Sequence, residues 1–315
     1  VNAETSATEW RVRFHDKDDP DAWLDEQHRF STYRTAKAPL AESAHAALVA
    51  AGSVQVSDVT RRERSQAARP PFTTDTLFQA TGSRWGWSPN KTAVLAGKLY
   101  EAGHLTYIRT DSTRLATEAV EAGRSLISEA WNAELLGVVA TAEAGAGVQD
   151  AHEAIRPTNF QLETVPDAEP DAQKLYALVR AGTLASLMVP SQRVTLSLKG
   201  QCEGLELVLD GSVGWYAELG WRRAFEALGD QVETTPITVD TGESFEWVPG
   251  DAEHANPVLK EDETKPPARY RAHTIVRTMK EAGIGRPSTY AKTVDRLEER
   301  DYVTIEDGVL IPTKG

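Results

Sequence analysis

The chain has 315 residues, 40% of them hydrophobic and 26% charged, which is the balance of a globular protein with room for two or three domains. No run approaches the roughly 20 apolar residues of a membrane helix, the opening VNAETSATEW has neither the basic flank nor the apolar stretch of a signal peptide, and the single Cys202 excludes an internal disulfide or a cysteine metal cluster and suits a reducing cytoplasm. A net charge of −13 argues against nucleic acid only if charge is evenly spread. It is not, because basic residues gather in RRERSQAARP (61–70) and YIRTDSTR (107–114), whereas acids gather in DKDDPDAWLDE (16–26) and VLKEDET (258–264). Basic stripes on an acidic chain can hold a phosphate backbone in a salt-sensitive way.

In chain order, EWRVRF (9–14) alternates as a strand should, LAESAHAALVAAG (40–52) reads as a helix closed by Gly52, and SVQVSDVTRRE (53–63) returns as a strand. RSQAARPPF (64–72) is a proline-bearing crossing into a mainly helical block that runs from Thr73 to about Pro190. Strands resume in RVTLSLKG (193–200), GLELVLDGSVGWYAEL (204–219) and SFEWVPG (244–250). The pattern predicts an α+β multidomain chain. A strand-rich arch from 1–66 and 191–258 brackets a helical insert at 67–190, and a further helical unit fills 259–315.

That last unit resembles the start of the insert. Thr76–Ile108 and Thr274–Ile305 both read helix, glycine-bearing turn, second helix, tight turn, strand. Ser88 with Pro89 behind it suits a helix start, and Ser288 or Thr289 could cap the matching helix of the second copy. Leu95, Leu99 and Ala102 share one helix side before Gly103. Asp307-Gly308 is a hairpin signal that would supply a wing. The order is that of a winged helix-turn-helix met twice, the second copy only begun.

Three stretches carry the candidate chemistry: LTYIRTDS (105–112), QDAHEAIRPT (149–158) and GIGRPSTYA (283–291). In a strand, Tyr107 and Arg109 would project from one face. A phenol attacks phosphorus only if its proton is removed or its developing charge is stabilised, since its ordinary pKa is about 10. Arg109 offers a fork of donors to a phosphate oxygen, His152 could donate to a second oxygen with Asp111 fixing its tautomer, and the helix start at Ser288/Thr289 with Arg286 beside it is a natural phosphate seat. Read singly, each stretch has a structural alternative: a packed tyrosine, a satisfied histidine, an ordinary turn.

Together, LTYIRTDSTRL, AHEAIRPT and GIGRPSTYA, with PPFTTDTLFQATGSRWG (70–86) upstream and KPPARY (265–270) before the last, resemble in order and spacing the signature blocks of bacterial type IA DNA topoisomerases. The resemblance runs from about Arg69 to Thr313 and is weaker over 1–68. It implies part of the family toroid, with the strand-rich parts as its hinge. Tyr107 matches the tyrosine that cuts one DNA strand through a 5′-phosphotyrosine link, Arg109 the arginine at the scissile phosphate, His152 the histidine that contacts it, and Asp111 the aspartate that orients the histidine. Arg286, Ser288 and Thr289 match backbone-contacting positions, and Arg84, Arg114 and Arg156 are the other basic DNA-binding candidates within the same blocks. The implied activity is relaxation of negatively supercoiled DNA at its single-stranded stretches by a cytoplasmic, nucleoid-associated monomer that does not touch membrane. No ATP is expected, and no G-x-x-x-x-G-K-[ST] loop occurs.

The same family takes its magnesium ligands and its general-acid glutamate from an N-terminal Toprim domain, which needs a parallel-sheet run ending in an acidic D-x-D motif. None precedes residue 1, and DKDDPDAW (16–23) reads as a solvated loop. No metal ligand is therefore expected within the chain, which is taken as a fragment carrying the nucleophile without the metal and inactive alone. A tyrosine recombinase is disfavoured because Tyr107 precedes His152, and a rolling-circle relaxase because the seven histidines include no close pair. The non-enzymatic alternative is a winged-helix DNA-binding module with Tyr107 in its core.

Overall fold

A computed structural model describes residues 9–25, 28–138, 153–248 and 256–314. The chain divides into two compact units: residues 1–65, 192–218 and 232–267 form one, and residues 66–191, 219–231 and 268–315 the other.

The first unit is built on a five-stranded sheet. Its strands are β1 (Arg11–Val12), β2 (Ser53–Gln66), β3 (Ser191–Cys202), β4 (Leu205–Glu218) and β5 (Ser244–Glu246), in the spatial order β1-β4-β3-β2-β5. Helix α1 (Ala38–Ala51) precedes β2 and ends at Gly52, whose φ of 66° is the left-handed cap that glycine takes without strain. β3 and β4 alternate through the middle of their pairing: Val194, Leu196 and Leu198 on β3 and Val213 and Trp215 on β4 are buried with Val56 and Val239. Leu48 of α1 joins Val54, Cys202 and Leu209 in a second cluster, and burial raises the Cys202 thiol pKa. The strand expected over 9–14 shrinks to two residues. The acidic loop at 16–20 is largely exposed, as its charge implied, while the neighbouring His15 is buried and bonds Asp19 at 2.8 Å.

The second unit is helical. Helices α2 (Thr74–Trp85), α3 (Pro89–Glu101), α4 (Thr117–Ala130) and α5 (Pro170–Ala185) are followed, after the sheet strands, by α6 (Ala272–Glu281) and α7 (Tyr290–Glu299) and the hairpin β6 (Val303–Glu306)–β7 (Val309–Pro312). Helix α5 is the axis, because ten of its sixteen residues are buried. The Tyr176 hydroxyl within it reaches the carbonyls of Asn159 and Leu162, both at 2.9 Å, so its burial leaves no orphaned polar group. Each large aliphatic side chain sunk here contributes about 1.5–3 kcal/mol.

Local signals explain where α3 begins. Ser88 accepts a hydrogen bond from the Lys91 N–H at 3.1 Å with Pro89 in the first turn, a cap that contributes about 1 kcal/mol. Leu95 and Leu99 are buried as their spacing predicts, but Ala102 is exposed, and Thr92 and Ala96 complete the buried side instead. The Asp307-Gly308 turn forms the predicted hairpin with both residues at positive φ. Thr289 does not cap α7: its hydroxyl instead closes a turn by accepting from the Arg286 N–H at 2.8 Å.

Candidate active site

No strand forms at Tyr107. Residues 104–116 form an irregular segment that bends at Ile108 and Arg109, and its one ladder contact among the described residues is the isolated bridge from Leu105 to Pro157. Its backbone groups are instead bonded one by one to two neighbours, which is why propensity for a strand was misleading there. On one side lies 153–158. The Thr106 N–H donates to the Arg156 carbonyl at 2.9 Å, the Thr106 hydroxyl to the Ala154 carbonyl at 2.8 Å, the Thr158 N–H to the His104 carbonyl at 3.1 Å, and the Ala154 N–H to the Arg114 carbonyl at 2.9 Å. On the other side is the start of α2, where the Thr74 hydroxyl donates to the Ile108 carbonyl at 2.7 Å and its N–H to the Thr110 carbonyl at 2.9 Å.

This double clamp turns Leu105 and Thr110 inward and leaves Tyr107 and Arg109 outward. The Tyr107 ring is 45% exposed, which removes the reading of it as a core residue. Its one ring neighbour among the described residues is Tyr100, the penultimate residue of α3, at 5.4 Å and 66° between planes. Arg109 and Asp111 are exposed, and Arg109 has no hydrogen-bond or ion-pair partner among the described residues. His152 lies outside the described residues. Its neighbour Glu153 is braced against the segment, accepting from the Ala116 N–H at 2.5 Å and from Arg156 at 2.7 Å.

The other candidates fall into two sets. Arg286, Ser288 and Thr289 are exposed on the turn before α7. That turn approaches the Tyr107 segment through Tyr290, whose phenol pKa is raised first by burial and then by Asp75, with Lys280 and Arg286 opposing and Asp111 adding a smaller push upward. Two other arginines are engaged internally: Arg84 with Asp230 and the Leu228 carbonyl, and Arg156 with Glu153 and the Pro157 carbonyl. Arg114 is exposed on the segment itself.

Sequence reasoning passed over Asp75 and Thr74. Asp75, buried in the first turn of α2, accepts from the Thr73 hydroxyl and from Lys280 Nζ, both at 2.8 Å, an acid placed where the helix dipole favours it. The Thr73-x-x-Thr76 spacing of a capping box was the available signal. Beside it, α6 crosses α2 with Val276, Met279 and Phe78 in one cluster with Tyr290 and Val294. At the other end of the crossing, burial lowers the His273 pKa, with Arg271 adding to the effect. An unfolded or undocked segment therefore binds more protons than the docked one below the ordinary histidine value of about 6.5, and docking weakens as pH falls through that range. Hydrogen exchange over 268–314 is expected to accelerate relative to the α5 core, after correction for intrinsic rates, as pH drops from 7.5 to about 5.5. A constant difference would show that His273 is not coupled to docking.

Among the described residues no three His, Cys, Asp or Glu side chains converge so as to hold a metal ion. The described residues do not fit a magnesium site. No described helix is long and apolar enough to cross a membrane.

A chain of this mixed α and β fold has counterparts among topoisomerases. The family model described as DNA topoisomerase matches residues 5–315, and the chain belongs to that family. It is 35% identical over 269 residues to DNA topoisomerase 1 of Vibrio cholerae, covering 83% of this chain and 29% of that protein, and 35% identical over 275 residues to DNA topoisomerase 1 of Escherichia coli, covering 84% and 30%. The full-length topoisomerase I of Thermotoga maritima superposes with a TM-score of 0.68 at 33% identity, over 83% of this chain and 43% of that one. The chain thus spans under a third of the length of these two curated relatives.

Proposed function

We propose that this chain is the tyrosine-bearing part of a type IA DNA topoisomerase that relaxes negatively supercoiled DNA. The Tyr107 oxygen forms a bond to the phosphorus of a single-stranded segment and the bond from phosphorus to the 3′ oxygen breaks. The phenolic proton is lost and the 3′ oxygen gains one, leaving a 5′-phosphotyrosine. Religation runs the exchange backwards, so one ester replaces another and no ATP is consumed. Arg109 holds a non-bridging oxygen of that phosphate, His152 is assigned to a second oxygen, and Asp111 to the orientation of the histidine. The turn carrying Arg286, Ser288 and Thr289 grips the backbone nearby, with Arg114 alongside. Arg84 and Arg156, already engaged, act as braces, and binding through them would require those ion pairs to exchange. Magnesium, with its own ligands outside this chain, is proposed for the complete protein, as is action as a monomer.

The observation that carries this reading is the outward pairing of Tyr107 with Arg109 on a segment whose backbone is fixed from both sides. A flexible loop would not hold a nucleophile in attack geometry. In the complete protein, incubation with a labelled single-stranded oligonucleotide and rapid denaturation should trap a covalent adduct. Tyr107→Phe should eliminate it, below one part in a thousand, while single-strand affinity changes less than about threefold. Persistence of the adduct in the phenylalanine variant would move the nucleophile elsewhere, and a complete absence of adduct in the unaltered protein would favour a DNA-binding module without cleavage.

A further inference from the structure

The polar face of the sheet in the first unit takes no part in the chemistry at Tyr107. On β2, Arg61 lies over the Trp215 ring at 5.6 Å and pairs with Glu63 at 2.6 Å, so both belong to the side of the buried Val194 and Trp215. Alternation puts Arg62 and Arg64 on the opposite, outer side. Ser65 and Gln192 meet through their side chains at 3.3 Å at one end of β2 and β3, and Val54 lies against Gly200 at the other, so the strands are antiparallel. Arg64 and Arg193 are each one residue from the first meeting point and share the outer face. Arg193 covers the Tyr216 ring at 5.5 Å.

Arg62, Arg64 and Arg193 are exposed, and among the described residues none has a carboxylate within ion-pair reach. The far end of the same face is different: Lys199 at 2.5 Å and Arg13 at 2.7 Å converge on Asp210, Arg13 also pairs with Asp16 at 2.7 Å, and Tyr33 adds a bond to Asp210 at 3.1 Å, so two cations there meet two carboxylates. Between the two ends the surface is low and hydroxylated, with Thr195 opposite Gly214 and Ser197 opposite Ser212. Clustered like charges on neighbouring strands destabilise a sheet. The chain has 47 acidic residues against 34 basic ones, yet among the described residues none of the acids pairs with these three arginines.

We propose that Arg62, Arg64 and Arg193, with the hydroxyls of Thr195, Ser197 and Ser212, form a second phosphate-backbone site that holds a single-stranded nucleic acid segment separate from the one handled at Tyr107. The proposal rests on the reading of DNA as substrate. A regularly charged polymer fits better than an acidic peptide for two reasons. Arg62 and Arg64 repeat along the strand at about 6.7 Å, a regular row of always-charged forks. The surface beside them is lined by the hydroxyls of Thr195, Ser197 and Ser212 and by Gly214, groups suited to phosphate oxygens more than to apolar peptide side chains.

The test uses the full 315-residue chain and a short labelled oligothymidylate, with strands per chain counted by native mass spectrometry and affinity followed by anisotropy across a salt series. The unaltered chain should bind two strands. R62Q/R64Q/R193Q should bind one and flatten the slope of log K against log salt by about 2, three contacts at roughly 0.7 each, with thermal unfolding unchanged. R62K/R64K/R193K should retain the salt slope. R109Q/R286Q should remove the other strand and leave this site filled. An unchanged stoichiometry and slope in the triple glutamine variant overturns the sheet site while leaving the Tyr107 reading intact. Loss in that variant combined with no effect of R109Q/R286Q supports the sheet site and counts against the Tyr107 reading. Displacement of the oligonucleotide by polyglutamate at equal charge concentration overturns the assignment to nucleic acid.

Discussion

Arg109→Ala in the complete protein is expected to slow single-strand cleavage by about 100- to 1,000-fold, the range found when one donor to a developing negative charge is removed. The non-bridging oxygens of a phosphate under attack gain charge as the phenolic oxygen approaches, and a guanidinium held beside them stabilises that stage more than the resting diester. The structure makes this a clean substitution. The side chain is exposed and has no partner among the described residues, so truncation orphans no buried group and thermal unfolding should not move. Arg109→Lys keeps the charge and loses the fork, and should fall between the two. Rapid-quench measurement of adduct formation at saturating oligonucleotide separates the rate from affinity, which should weaken only a few-fold. Equal cleavage rates for Arg109→Ala and the unaltered protein would remove Arg109 from the phosphate.

How much of this was readable beforehand differs between elements for physical reasons. Helices α1 and α3 and the hairpin at Asp307-Gly308 were legible because their signals are local: a glycine in the left-handed region, a serine cap, a two-residue turn. The Tyr107 segment was not, because its irregular path is held by Thr74 and by residues 153–158, which are distant in sequence. The shared side of Tyr107 and Arg109 was anticipated and both are exposed with Ile108 half-buried between them, whereas the sequence left open whether that side faces solvent or a core. The role of Asp75 was hidden because a buried carboxylate makes sense only once Lys280 is seen to arrive from 205 residues away. Both groups that fix the segment are polar contacts across long loops, and hydrophobic periodicity carries no trace of them. The failed cap at Thr289 has a local origin instead, because its hydroxyl accepts from the Arg286 N–H three residues earlier and so serves the turn in place of the helix behind it.

Tyr290, which follows that turn, packs in one cluster with Phe78 of α2 and Val276 and Met279 of α6, and Gly82→Ala is expected to loosen this docking more than any other single-methyl change. A Cβ at Gly82 would sit 2.3 Å from Cγ and 2.4 Å from Cβ of His273. These atoms are next to the backbone of α6, so no rotamer change clears them and the helix itself has to shift. Alanine favours the α2 helix over glycine by about 1 kcal/mol, but overpacking of this kind costs roughly 1–3 kcal/mol. The shift also strains the cluster of Phe78, Val276, Met279, Tyr290 and Val294 and pulls Lys280 from the buried Asp75 carboxylate. The methyl therefore costs docking more than it gives the helix. Hydrogen exchange should speed up over 268–314 by at least tenfold while α5, with its own core, stays protected. On the proposed roles, in which Arg286 and Arg109 hold one strand together, single-strand affinity should drop in parallel. Exchange unchanged in 268–314 would mean that α6 is held by something other than this close approach. Faster exchange with full affinity would show that the two arginines act on separate strands.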